Sequence, residues 1–220
     1  MKKKKKTTVT RQRRGGILDY VTGSVPAAFG NPQRVARPKI VSTPRGTIVE
    51  NSESLALLTS SGTSGGELVL SIPLHVRSAS LPWLTQVGAL YSKYRVLSLS
   101  LRYEPVCATT IGGEIAHAIV YDENDSETSG LSISRILQIA GNQRCPVWSP
   151  SALVMYDKSK AAQPWYYSQV NPPASTVANL SVAGWGVFGY QSSAVSTALG
   201  RVMVHYRVEL VDPVSPLSNS

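Results

Sequence analysis

At 220 residues, 42% of them hydrophobic and 16% charged, the chain is long enough to bury a full core without disulfide or metal staples. No apolar run approaches the roughly 18–20 residues of a membrane span, and Gly15-Gly16 follow the basic start where a signal peptide would be apolar. The chain therefore reads as soluble and intracellular, with no membrane partner. Of the net charge of +9, eight units come from Lys2, Lys3, Lys4, Lys5, Lys6, Arg11, Arg13 and Arg14, with no acid among the first fourteen residues.

Residues 15–220 keep a net charge of only +1, so the chain reads as a near-neutral body with an electrostatic arm. Like charges repel and lysines bury nothing apolar, so the arm is expected to be disordered until a polyanion neutralises it. Nucleic acid is the leading partner. Residues 1–45 lack periodicity, and Pro26, Pro32, Pro38 and Pro44 recur every six residues. This spacing suits an extended arm of β or polyproline character that docks on something.

The body is expected to begin at residue 46. Thr47–Thr59 and Glu67–Val76 read as strands around the turn sequence SSGTSGG. Pro82–Tyr91 reads as a short helix, with proline in its first turn. In Tyr94–Tyr103, Leu97, Leu99, Leu101 and Tyr103 alternate with Ser98, Ser100 and Arg102, a period of two with one wet face. A strand is predicted at Glu114–Tyr121, followed by an acidic turn. Ser132–Ala140 reads as a second short helix, its Ile133, Ile136, Leu137 and Ala140 on one face and Gly141 as its stop. Further strands are predicted at Ala152–Tyr156, Trp165–Ser168 and Asn179–Tyr190. A final strand is as clear as Tyr94–Tyr103: Val202, Val204, Tyr206, Val208 and Leu210 alternate with Met203, His205, Arg207 and Glu209, and Pro213 ends it. The fold class is all-β: an eight-stranded antiparallel jelly-roll sandwich with two short connecting helices and a disordered basic N-terminal arm. An α/β fold is excluded because the strands do not alternate with helices of useful length.

Five stretches in consistent order resemble one family. They are Trp83, Leu84, Val87, Tyr91, Tyr94 and Arg95; then Leu99, Leu101, Tyr103 and Pro105; then Thr109, Thr110, Gly112, Gly113 and Ile115; then Tyr121, Asp122 and Asp125; and finally the run from Gly200 through Tyr206 to Pro213. Together they resemble the shell domain of the coat proteins of small icosahedral plant viruses, the sobemovirus and tombusvirus group. That resemblance implies a jelly roll that assembles into a quasi-equivalent shell around single-stranded RNA, the protein residing in the virion and its free subunits in the host cytoplasm. It also implies an arm, here residues about 24–44, that orders in some subunits around a threefold axis. Residues 46–220 are then the shell domain, with no protruding domain expected after it.

Eight arm cations on phosphates would give single-stranded RNA binding a log–log salt slope of roughly −5 to −6, with little sequence preference because phosphate contacts carry none. The lysine run also fits a nuclear address for free subunits. Asp122-Glu123-Asn124-Asp125 supplies hard oxygen ligands on a loop, suited to Ca²⁺ rather than to a transition metal. The resemblance marks Asp122 and Asp125 as metal ligands for calcium between adjacent subunits; a plain acidic turn is the other reading. His75, His117 and His205 are scattered, and no GxSxG, HExxH or P-loop pattern is present. No catalytic residue and no small-molecule substrate is expected. Cys107 and Cys145 lack metal or redox spacing and are predicted to be buried free thiols. Trp148, Trp165 and Trp185, with Tyr166, Tyr167, Phe188 and Tyr190, read as core or subunit-contact aromatics. The whole describes a self-assembling, RNA-packaging capsid protein. The rivals are a non-assembling viral RNA-binding protein of movement or silencing-suppressor type, and a jelly-roll lectin or enzyme.

Overall fold

The computed structural model describes residues 37–122, 131–168 and 178–214. In chain order the elements are β1 (Lys39–Thr43), β2 (Gly46–Thr59), β3 (Glu67–Pro73), α1 (Pro82–Gly88), β4 (Tyr91–Pro105), β5 (Gly113–Val120), α2 (Ile133–Ile136), β6 (Gln143–Pro146), β7 (Val154–Met155), a 3-10 turn at Lys158–Lys160, β8 (Tyr166–Tyr167), α3 (Ala178–Ser181), β9 (Trp185–Ser192) and β10 (Ala198–Pro213). The strands form two antiparallel sheets. One runs β1-β2-β10-β4-β7, with β8 also on β4; the other runs β3-β9-β5-β6. Faced together, they make the predicted jelly-roll sandwich.

Alternation decides which side chains meet between the sheets. Val202, Val204, Tyr206, Val208 and Leu210 of β10 are all buried, as their period predicts. In β4 the alternation slips. Its register against β10 shifts between Arg207 and Val208, which face Ser98 and Val96 respectively. This bulge leaves Leu97 only partly buried and turns Tyr94 and Val96 inward, beside Leu99, Leu101 and Tyr103.

The helices are shorter than their periodicity predicts. The first stops at Gly88, where a Cβ would lie 3.1 Å from Val76, and Tyr91 already belongs to β4. Its first turn has no side-chain cap from Leu81. Instead the Glu53 carboxylate, on β2, accepts the Trp83 and Leu84 N–H groups at 3.0 and 3.2 Å and the Tyr206 hydroxyl at 2.5 Å. The second helix is the single turn α2. Ser132 caps it by accepting the Arg135 N–H, and Ile133 and Ile136 lie on the outer face of the four-stranded sheet with Ala116, Ala118, Val120 and Val187.

The strand predicted over Asn179–Tyr190 begins only at Trp185; its first residues are α3. Buried tyrosines hold that connection, the Tyr94 and Tyr156 hydroxyls donating to the carbonyls of Ser181 and Ala183. Two strands went unpredicted, β6 and β1. Residues 39–43, within the segment read as an extended arm, pair with β2 from Lys39 opposite Glu50 to Thr43 opposite Gly46.

Connectivity gives the sandwich two unlike ends. The connections 60–66, 106–112, 147–153 and 193–197 meet at one end, tied by bonds such as Gly65 N–H to Ser192 O and Ser196 N–H to Ser61 O. The connections that carry α1, α2 and α3 lie at the other.

Candidate functional site

Of the two carboxylates singled out for a cation, Asp122 lies just past β5 on the helix-bearing end, exposed, and Asp125 falls outside the described residues. The neighbouring Tyr121 packs on Tyr156 with ring centroids 5.2 Å apart, and its hydroxyl accepts the Asp157 N–H at 2.5 Å. The Asp157 carboxylate accepts the Ser159 N–H and hydroxyl at 2.9 and 2.7 Å. These bonds hold its pKa below the ordinary range. The Lys160 ammonium stands 5.9 Å from the Tyr121 ring. Thus the turn around Asp157, which sequence patterning did not single out, is bonded to Tyr121, the residue that precedes Asp122; only the fold brings these distant segments together. Among the described residues no group of three or more His, Cys, Asp or Glu side chains gathers. Calcium takes about six to eight oxygens, so the carboxylate chemistry fits it while one chain's described residues supply only part of a shell.

The eight arm cations, Lys2 through Lys6 with Arg11, Arg13 and Arg14, also lie outside the described residues.

The three histidines are not brought together. The His75 ring accepts the Arg77 N–H at Nδ1, and its Nε2 lies 3.2 Å from the Tyr167 carbonyl; burial pushes its pKa below the ordinary value, against the pull of the Tyr167 carbonyl. His205 bonds Ser52 across the outer face of the six-stranded sheet. His117, fully buried, stacks on Phe188 at 6.0 Å and finds no hydrogen-bond partner among the described residues for either ring nitrogen. Desolvation there pushes its pKa down to about 4. Cys107 and Cys145 are free and buried, as expected. Burial raises both thiols, Cys145 to about 12, which leaves no reactive thiolate at neutral pH.

The predicted aromatics divide. Tyr166, Phe188 and Tyr190 are buried, whereas Trp148 and Tyr167 are exposed. Trp165 takes the Arg95 guanidinium over its ring at 4.6 Å, and Arg95 in turn pairs with Glu209 at 2.5 Å. Glu209 alternates with the apolar residues of β10, yet it is only 5% exposed. Its partner explains this, since a buried carboxylate needs a bonded cation.

None of these groups converges on a pocket with a nucleophile, a base and an oxyanion site. Comparison with known proteins decides what the scaffold is. The viral coat protein (S domain) family matches residues 21–216. The chain belongs to that family. It is 26% identical to the capsid protein of Tobacco necrosis virus (strain A), over all of this chain and 87% of the relative. The solved structure of Tobacco necrosis virus superposes with a TM-score of 0.74 at 24% identity, covering 84% of this chain and 91% of that one. That of Cucumber Leaf Spot Virus superposes at 0.73 with 18% identity, covering 91% and 60%. The protein is thus a viral coat protein, a structural component of a virion with no catalytic role. A coat protein works as many copies of itself, so its functional surfaces include those that meet other copies.

Proposed function

We propose that copies of this chain close into an icosahedral shell around single-stranded RNA, with the N-terminal arm as the element that neutralises the RNA. The observation that carries this reading is the charge asymmetry: eight of nine net charges lie in fourteen residues ahead of a near-neutral body. A polycation of that kind binds phosphates by counterion release, without base readout. It has no aromatic residue before Tyr20 on which bases could stack.

The second element is a cation lock. Asp122 and Asp125 would provide hard oxygens for Ca²⁺, with the rest of the shell donated by a neighbouring copy. Removing the ion at raised pH leaves like charges facing each other, which loosens the contact.

The test is size-exclusion light scattering with absorbance at 260 and 280 nm, on protein expressed in cells. A megadalton peak carrying nucleic acid supports the shell reading. A monomer or dimer throughout salt and calcium screens, even with RNA added, replaces it with the non-assembling RNA binder. For the lock, Asp122→Asn/Asp125→Asn particles are expected to stop responding to chelator. A wild-type response from them removes the pair from the mechanism.

A further inference from the structure

Strand β8 is two residues long, yet it is fixed from several sides. The Tyr166 ring enters the core beside Tyr94, with centroids 5.6 Å apart. The Tyr167 carbonyl lies 3.2 Å from His75 Nε2, and the Ser168 N–H donates to the Ser92 carbonyl at 2.9 Å. The Ser168 hydroxyl lies 2.7 and 2.6 Å from the carbonyls of Gly88 and Tyr91. With Tyr166 turned inward, alternation turns Trp165 and Tyr167 out onto the free face of the six-stranded sheet. Strand β4 sets Lys93 opposite Tyr167 and holds Arg95 over the Trp165 ring. Two aromatics and two cations therefore form one rigid block.

Its two halves differ. Arg95 is committed, since it covers Trp165 and pairs with the buried Glu209. Lys93 is exchangeable: its partner is Asp212, and the two side chains are 41% and 58% exposed. An exposed ion pair of this kind contributes little and yields readily to another anion. Beside it the Tyr167 side chain is 43% exposed.

We propose that Tyr167 is a stacking platform for one unpaired base of the RNA, whose phosphate takes Lys93 from Asp212. The body thereby gains a base-dependent contact that the arm lacks. The inference rests on the RNA-packaging reading. Every base has an apolar face, and a ring on a fixed strand gains stacking without having to order a loop. The charge of the face favours RNA over a second copy of the chain. On that face β4 and β10 carry five cations, Lys93, Arg95, Arg102, Arg201 and Arg207, to three acids. Two copies meeting there would set like charges together, whereas a polyanion is attracted.

The experiment measures full-length protein by fluorescence anisotropy against two labelled single-stranded probes of equal length, oligo(A) RNA and its abasic ribose-phosphate counterpart. Both carry the same phosphates, so the arm does not distinguish them. At raised salt, wild type is expected to bind oligo(A) about tenfold more tightly than the abasic chain. Tyr167→Ala should abolish the preference, and Tyr167→Phe, which keeps the ring, should retain it. Lys93→Ala should weaken both probes alike, and unchanged affinities there overturn the phosphate half of the proposal. A wild type that binds neither probe removes the RNA-packaging reading, and this site with it. Equal binding of both probes by wild type, or a preference that survives in Tyr167→Ala, overturns the stacking site alone. A surviving preference with fewer particles assigns the ring to a contact between copies. Circular dichroism establishes that each variant is folded. Should Tyr167→Ala fail to fold, ultraviolet cross-linking of wild type to oligo(U) is expected to place an adduct on Tyr167. Adducts found only elsewhere by peptide mass spectrometry overturn the proposal.

Discussion

His117 is the residue whose chemistry is most at odds with its surroundings. The folded state keeps the imidazole neutral, with its pKa near 4, against about 6.5 in an unfolded chain. Between those values the unfolded state binds the extra proton, so stability is lost as pH falls from about 6.5 towards 4. The expected loss is on the order of 2 kcal/mol by pH 4.5. His117→Leu should flatten that part of a plot of Tm against pH, and an unchanged slope would place the acid sensitivity elsewhere. Glu53 is the second such residue, because three donors from two elements converge on one carboxylate. Glu53→Ala strands two helix N–H groups and a tyrosine hydroxyl. A cost of about 2–3 kcal/mol is expected in urea unfolding.

At the scale of elements, small residues set how closely the parts approach. A Cβ at Gly189, on β9, would lie 2.9 Å from Ile136 Cδ1 and 3.1 Å from Ile133 Cγ1. Gly189→Ala therefore pushes α2 off the four-stranded sheet, and a loss of about 1–3 kcal/mol is expected in the same assay. The long strands were legible in the sequence because each buries one face, so a period of two is written into β10 and the second half of β4. The remainder was not. The bulge in β4 changes parity without any turn residue to announce it. Strand β6 is four residues long and β1 five, too short for periodicity to register. Helix α3 is fixed by hydroxyls from distant tyrosines rather than by its own pattern. For the candidate site, Asp122 was visible as part of an acidic run, but the turn at Asp157 could be found only through its bond to Tyr121.

For the whole molecule, the division between a charged arm and a neutral body makes the proposed RNA binding a matter of counting. Replacing Lys2 to Lys6 with alanine leaves three arm cations, and the salt slope for single-stranded RNA should shrink from about −5 or −6 to about −2. A filter-binding titration across salt concentrations measures it, and a slope that stays steep would assign the phosphate contacts to the body. Because the body is nearly neutral, the same variant should keep its melting temperature.

The place of β10 carries a further consequence. It follows every other strand in sequence, yet it sits between β2 and β4 in the six-stranded sheet, pairing Val211 with Gly46 and Pro213 with Tyr91. On the ribosome, β2 and β4 emerge with no partner between them, and the sheet closes only after the final strand has been translated. The basic arm leaves the exit tunnel long before that. If the arm neutralises RNA as proposed, a nascent chain would engage it while its body is still unable to meet another copy, and the order of synthesis would put genome capture ahead of shell closure.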